Sequence, residues 1–439
     1  MKSVLVLGAG LVTKPLVQYL LKYDFRVRVA SRTVSKAEKL VGNHPNGEAI
    51  QWTVDKKDEL KKMVSESDLV VSLLPAAYHT MVAEMCIELG TNMATTSYVS
   101  PAMKALDEPA KKAGVVILNE SGVDPGIDHM SAMRIIDDVK KKGGKVVSFM
   151  SYCGGLPAPE ANTNPYGYKF SWSPKGVLLA GRNNAKYRKD GKEILVPGPE
   201  LFSHYWHLEV PGIGELEAYP NRDSLGYIDI YGLQGISTMF RGTFRYKGWC
   251  DTLKATADMG YLDDTEKDWT GKTYADLGWE LVGKKPSGDL RAAFAEKLNI
   301  PTDSFILDRF EWLGLFSNDP LPIDKGGVID ILTARKLEKM PYKDGERDMI
   351  ILYHNFIAEY PNGKKEEITS TLIDYGIPHG DSSMSRTVSL PAAIGSRMIL
   401  DGKFDKPGVW VPVIPELYNP VLDELETLDI KCVEKSKVL

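Results

Sequence analysis

A short apolar run followed at once by a Gly-x-Gly turn opens the chain, and no other stretch restricts the fold as much. Ser3 to Leu7 (SVLVL) is continuously apolar, as a strand buried on both faces of a parallel sheet must be. Gly8-Ala9-Gly10-Leu11-Val12-Thr13 follows, and Leu11, Val12, Pro15, Leu16 and Leu20 predict a helix over Leu11 to Lys22. A glycine straight after the strand permits the tight turn, and the second lets a pyrophosphate approach the backbone. The helix start beyond offers free N–H groups and the positive end of a dipole. Thr13 stands where that fingerprint has its third glycine. Gly8, Gly10, Leu11 and Val12 are therefore candidate cofactor contacts.

The pattern repeats downstream. Strands are expected at Arg26 to Ala30, Ala49 to Val54, Asp68 to Leu74, Asn92 to Ser97 and Val115 to Asn119. Helices are expected near Val34 to Val41, Tyr78 to Leu89 and Pro101 to Ala113. Six strands, most with a helix between, imply an α/β domain with a doubly wound parallel sheet of the Rossmann type. Its ligands bind at the carboxyl ends of the strands. The end of the second strand reads Ser31-Arg32-Thr33, with no carboxylate to bind a ribose 2′-OH. Hydroxyls and a guanidinium suit a 2′-phosphate, so NADP(H) is preferred over NAD(H). Asp55 after the third strand, Ser72, Leu73 and Leu74 at the fourth, and Thr96 and Ser97 at the fifth complete the expected cofactor contacts.

Charge and composition exclude other classes. With 54 Lys and Arg against 59 Asp and Glu, the formal charge is −5, which disfavours a broad nucleic-acid surface. No apolar stretch approaches the ~20 residues that span a bilayer. Cys86, Cys153, Cys250 and Cys432 form no CxxC pair, which fits a reducing, cytoplasmic setting. No HxxxH or HExxH spacing supports a metal site.

Beyond the sixth strand come Asn119-Glu120-Ser121-Gly122-Val123-Asp124-Pro125-Gly126-Ile127-Asp128-His129 and Ser151-Tyr152-Cys153-Gly154-Gly155-Leu156-Pro157-Ala158-Pro159-Glu160. Then follow Asn164-Pro165, Tyr168 to Ser173 (YKFSWS), Tyr219 to Ser224 (YPNRDS), Arg241 to Tyr246 (RGTFRY) and Thr371 to Gly376 (TLIDYG). Through these motifs the chain resembles the L-glutamate-forming saccharopine dehydrogenases, also called saccharopine reductases, over nearly its whole length. The resemblance implies a dinucleotide-binding domain (1–125 and 385–439), a mixed α/β substrate-binding and dimerisation domain (126–248 and 345–384) and a helical insertion (249–344). It implies a cytoplasmic homodimer in lysine metabolism, in the monofunctional form that lacks a preceding reductase domain. It also implies small-molecule substrates: saccharopine, glutamate and aminoadipate semialdehyde, interconverted by hydride transfer to or from an imine.

Saccharopine carries three carboxylates, an α-ammonium and a secondary amine, so its site needs several cations and an anion. Arg222 matches the family's substrate-contacting arginine in PNRDS. Arg245 is a second candidate clamp, since a guanidinium meets a carboxylate bidentately. Asp124, in its rigid turn, is the candidate to hold an ammonium or steer protons at the imine nitrogen. Ser97 and Tyr98 match family substrate contacts. Cys153 matches a residue near the substrate, as a small neutral wall, and Thr243 is a plausible hydroxyl contact. Lys169 is a further cation near these motifs. Among seven histidines none stands out as a general acid; His129 is the one next to a site motif. Two alternatives remain: a carboxynorspermidine-type dehydrogenase, which reduces an imine on a polyamine, and an NADPH-sensing regulatory protein without turnover.

Overall fold

The computed structural model describes residues 1–172 and 174–439. Ser173, the last residue of YKFSWS, lies outside them. The chain forms two compact units, Met1–Val146 with Ile357–Leu439, and Val147–Phe356.

The first unit is built on a seven-stranded parallel sheet. Its strands are β1 (Ser3–Leu7), β2 (Arg26–Ser31), β3 (Gly47–Gln51), β4 (Leu69–Ser72), β5 (Asn92–Thr95) and β6 (Val116–Leu118), plus the late strand Gly408–Trp410. Their order is Gly408–Trp410, β6, β5, β4, β1, β2, β3, so the strand order reverses between β1 and β4, where such sheets open their ligand crevice. All five residues of β1 are buried. The flanking helices are α1 (Lys14–Lys22), α2 (Val34–Val41), α3 (Lys57–Ser65), α4 (His79–Leu89), α5 (Pro101–Lys104), α6 (Asp107–Ala113) and α7 (Ile127–Lys141).

Several elements differ from the sequence expectation. Residues 11 and 12 belong to the turn, and α1 begins only at Lys14, with Pro15 in its first turn. The helix expected over Pro101 to Ala113 is two, because Pro109 lacks an N–H and its ring crowds the carbonyl of Ala105. The helix α7 groups with the first unit although the sequence boundary at residue 125 placed it with the other. Its Arg134 donates to Asn419 and Asp423 of the helix Pro415–Thr427, whose Tyr418 hydroxyl donates to Asp137 at 2.7 Å.

In the second unit, β7 (Lys145–Pro157), β8 (Ala185–Lys189), β9 (Lys192–Val196), β10 (Trp206–Val210), β11 (Gly214–Pro220) and β12 (Thr238–Arg245) form a mixed sheet. The pair β12–β7 is parallel, while β11–β12 and β10–β11 are antiparallel. Helices Trp249–Asp258, Tyr274–Val282, Leu290–Leu298, Phe305–Leu313 and Val328–Lys339 follow. Three of them are started by side-chain caps at Thr273, Asp289 and Ser304.

Candidate active site

The glycine turn is built as a phosphate cradle. Gly8 has φ +110°, and a Cβ there would come within 2.9 Å of the Leu73 carbonyl oxygen, so a side chain is excluded on two counts. A Cβ on Gly10 would meet nothing within 4 Å, which leaves that backbone open to a ligand. Thr13, in the place of the third glycine, is fully buried. Its Oγ1 accepts from Gly10 N–H at 3.0 Å and bonds back to the Gly8 carbonyl at 3.4 Å. The threonine thus locks the turn from within, a role invisible in the glycine pattern. Leu11 is 66% exposed at the tip. Val12 is half-buried, its carbonyl accepting from the Ser389 hydroxyl.

The residues expected around the rest of the cofactor lie at the carboxyl edge of the same sheet. Ser31, Arg32 and Thr33 end β2; Arg32 and Thr33 are exposed, and the Thr33 N–H donates to Ser31 Oγ at 3.3 Å. Arg32 has no ion pair among the described residues and is free to meet an anion. Asp55 is exposed beyond β3, and a hydrogen bond from the Thr53 side chain holds its carboxyl below the usual range. Leu73 and Leu74 are half-buried after β4. These groups fit a dinucleotide carrying a 2′-phosphate.

Next to them stands a second cluster. Ser97 and Tyr98 follow β5, and the Tyr98 hydroxyl donates to Asp124 Oδ1 at 2.8 Å. Thr96, Ser97, Tyr98 and Asp124 are all half-buried. The Asp124 turn closes on itself, with Gly122 N–H donating to the Pro125 carbonyl at 2.8 Å and Gly126 N–H to Asp128 Oδ1 at 2.6 Å. A Cβ on Gly126, at φ +149°, would overlap the Gly122 backbone at 2.0 Å. Glu120 holds the facing segment: its N–H donates to the Ser97 carbonyl at 3.1 Å, and its Oε1 accepts from Val99 N–H at 2.8 Å. Its Oε2 lies 2.7 Å from His129 Nε2, and both residues are buried. His129 is therefore a support of this cluster rather than a residue open to substrate.

The other expected substrate contacts lie in the second unit. Cys153 and Thr243 are register partners on β7 and β12, so their half-buried side chains share one face. Alternation along RGTFR places Arg241, Thr243 and Arg245 together and turns Phe240 and Phe244 to the opposite side. Arg245 is buried, with Nη1 donating to its neighbour's Phe244 carbonyl at 2.7 Å. Its guanidinium lies 5.2 Å from the Tyr168 ring and 5.4 Å from Trp249. Arg222 is exposed and holds φ +54°, uncommon for a residue with a side chain. The backbone around it is pinned, since Lys186 N–H donates to the Arg222 carbonyl at 2.8 Å and Asn221 N–H to the Arg241 carbonyl at 2.9 Å. Lys169 is buried and paired with Glu346, which occupies its charge within the protein.

Sequence reasoning missed His79. It lies between Ser72 and Ser97, with Nδ1 2.9 Å from Ser72 Oγ and Nε2 2.8 Å from Ser97 Oγ. Its place at the start of the helix leaving β4, on the ligand-binding edge, was the one available signal. Among the described residues no cluster of His, Cys, Asp and Glu could hold a metal, and no helix is long and apolar enough to cross a membrane.

A braced glycine turn, an anion-ready end of β2 and a hydroxyl–carboxylate cluster on one sheet edge define a dinucleotide-dependent oxidoreductase of the Rossmann class. Two family models divide the chain between them. The "Saccharopine dehydrogenase NADP binding domain" matches residues 4–118, and the "Saccharopine dehydrogenase C-terminal domain" matches 122–430. The chain belongs to the saccharopine dehydrogenase family. It is 41% identical to the Schizosaccharomyces pombe saccharopine dehydrogenase [NADP(+), L-glutamate-forming], with 99% of each chain covered. Identity to the Saccharomyces cerevisiae enzyme of the same name is 42%, covering 97% of each. The solved apo structure of the L-Glu-forming saccharopine dehydrogenase from Saccharomyces cerevisiae matches with TM-score 0.90 and 40% identity, over 100% of both chains.

Proposed function

We propose that the chain interconverts saccharopine with L-glutamate and L-2-aminoadipate 6-semialdehyde, using NADP(H). The full-length likeness to NADP(+)-dependent, L-glutamate-forming saccharopine dehydrogenases carries this reading. The carboxynorspermidine-type and regulatory alternatives are not favoured.

NADP(H), when bound, supplies or accepts the hydride. Gly8 and Gly10 let its phosphates approach the backbone, and Ser31, Arg32 and Thr33 hold the 2′-phosphate. Asp124 stabilises positive charge at the reacting nitrogen, with Tyr98 fixing its carboxylate through the 2.8 Å bond. Ser97 bonds the same end of the substrate. Arg222, on its pinned turn, clamps a substrate carboxylate. Arg245 serves the same purpose, since no carboxylate of the described residues pairs with it and its Nε has no hydrogen-bond partner. A buried guanidinium in that state gains from an arriving anion. Cys153 serves as a small neutral wall and Thr243, its register partner, as a hydroxyl contact. Burial pushes the Cys86 and Cys250 thiols well above their usual range, and all four cysteines are free. Free thiols support a cytoplasmic setting, and a homodimer completes the reading. Within the second unit, 249–344 is its helical insertion.

The test is NADPH oxidation with L-glutamate and the semialdehyde, repeated with NADH and with Arg32→Ala. Turnover with NADPH is expected, with NADH poorer and the preference reduced about tenfold or more in the variant. No turnover with either cofactor would end the reading. An unchanged preference in Arg32→Ala would remove Arg32 alone.

A further inference from the structure

The reaction as proposed uses Ser97 but gives no part to His79 or to its contact with Ser72. Ser72 is fully buried at the end of β4, and His79 is 4% exposed. The ring opens α4, at the positive end of that helix's dipole, where a cation is disfavoured. Burial pushes the imidazole down to about 4. A neutral imidazole has one N–H and one acceptor nitrogen. The two serine contacts are therefore complementary: whichever nitrogen donates to one hydroxyl, the other accepts from the second.

A serine hydroxyl otherwise rotates among three staggered positions. Here the Ser97 hydroxyl is tied to a ring that is itself tied to the sheet through Ser72. The backbone of the same segment is fixed independently by Glu120, so His79 is not needed merely to hold the loop. We infer that His79 is a positioning residue: anchored on Ser72, it sets the rotamer and the donor–acceptor sense of the Ser97 hydroxyl presented to the substrate. This rests on the proposed role of Ser97 as a substrate contact. Small misplacements at a reacting centre can cost about a hundredfold in rate, so a modest reorientation is enough to matter.

A double-mutant cycle tests it. Steady-state kcat and KM for saccharopine are measured for wild type, His79→Ala, Ser97→Ala and the double variant, with NADP+ affinity and thermal melting alongside. His79→Ala is expected to lower kcat/KM at least about tenfold, and to have less than about twofold effect in the Ser97→Ala background. His79→Gln, whose amide can reach Ser97, should recover part of the loss. His79→Asn, too short to reach it, should not. If His79→Ala does not fold, the Gln and Asn variants carry the same cycle. Equal losses in both backgrounds, with Ser97→Ala itself impaired, would overturn the inference while leaving the Ser97 contact intact. Wild-type kinetics for Ser97→Ala would overturn the Ser97 contact, and the inference with it.

Discussion

Two polar regions of this molecule are organised in opposite ways. Around Ser97, in the first unit, named hydrogen bonds hold the serine, Tyr98, Val99, Glu120 and His129 in place. Around Trp249, in the second unit, cations lie among aromatic rings. Lys336 is 4.8 Å from the Tyr166 ring and 5.6 Å from Trp249, and Arg309 is 5.8 Å from Tyr166. Lys336 Nζ, Arg245 Nε, Trp249 Nε1 and the Tyr166 hydroxyl are buried with no hydrogen-bond partner among the described residues. Burial pushes the Lys336 ammonium down to about 7. The first region gains order from satisfied bonds. The second retains donors and charge at a cost in stability, offset in part by cation–π contacts.

The largest effect expected from this contrast comes from breaking the satisfied side. Glu120→Ala strips the acceptor from Val99 N–H and the carboxylate from His129. Losing one member of a buried hydrogen-bonded pair costs about 3–5 kcal/mol, measured as a lower denaturant midpoint together with lost activity. A wild-type midpoint would show that the Glu120 network carries no weight.

The opposite sign is expected on the other side. Lys336→Met removes an orphaned ammonium and keeps the side-chain length, so urea denaturation at neutral pH should show a gain of about 1–4 kcal/mol. The folded-state pKa of Lys336 lies below its unfolded value of 10.5. The unfolded chain therefore binds the extra proton between about pH 7 and 10.5, and wild-type stability rises with pH across that window. The gain from the variant should be largest near pH 7 and shrink toward pH 10. A destabilised variant would mean that the ammonium is a useful part of the cluster.

How much of this was legible follows from range of interaction. β1 and its turn announce themselves because burial on both faces leaves a continuous apolar run. The alternation in RGTFR likewise displays which side chains share a face. The helix α3 was missed because only Leu60, Met63 and Val64 of its nine residues are buried, among charges. The seventh strand, Gly408–Trp410, has three residues and pairs with Val116–Leu118 nearly three hundred positions earlier, so no local pattern marks it. His79 escaped for the same reason: Ser72 and Ser97 lie 7 and 18 residues away. Asp124 could be named from its rigid turn, but its Tyr98 partner across 26 residues could not.

The central claim is that guanidinium groups of this chain receive the carboxylates of an amino-acid adduct, and Arg222 is its most exposed element. Calorimetric titration of saccharopine into the NADP+-saturated protein tests it most directly. Saturable binding is expected for wild type, weakened at least about tenfold, or ~1.4 kcal/mol, in Arg222→Ala. Wild-type affinity in that variant, or no binding to the native protein, would contradict it.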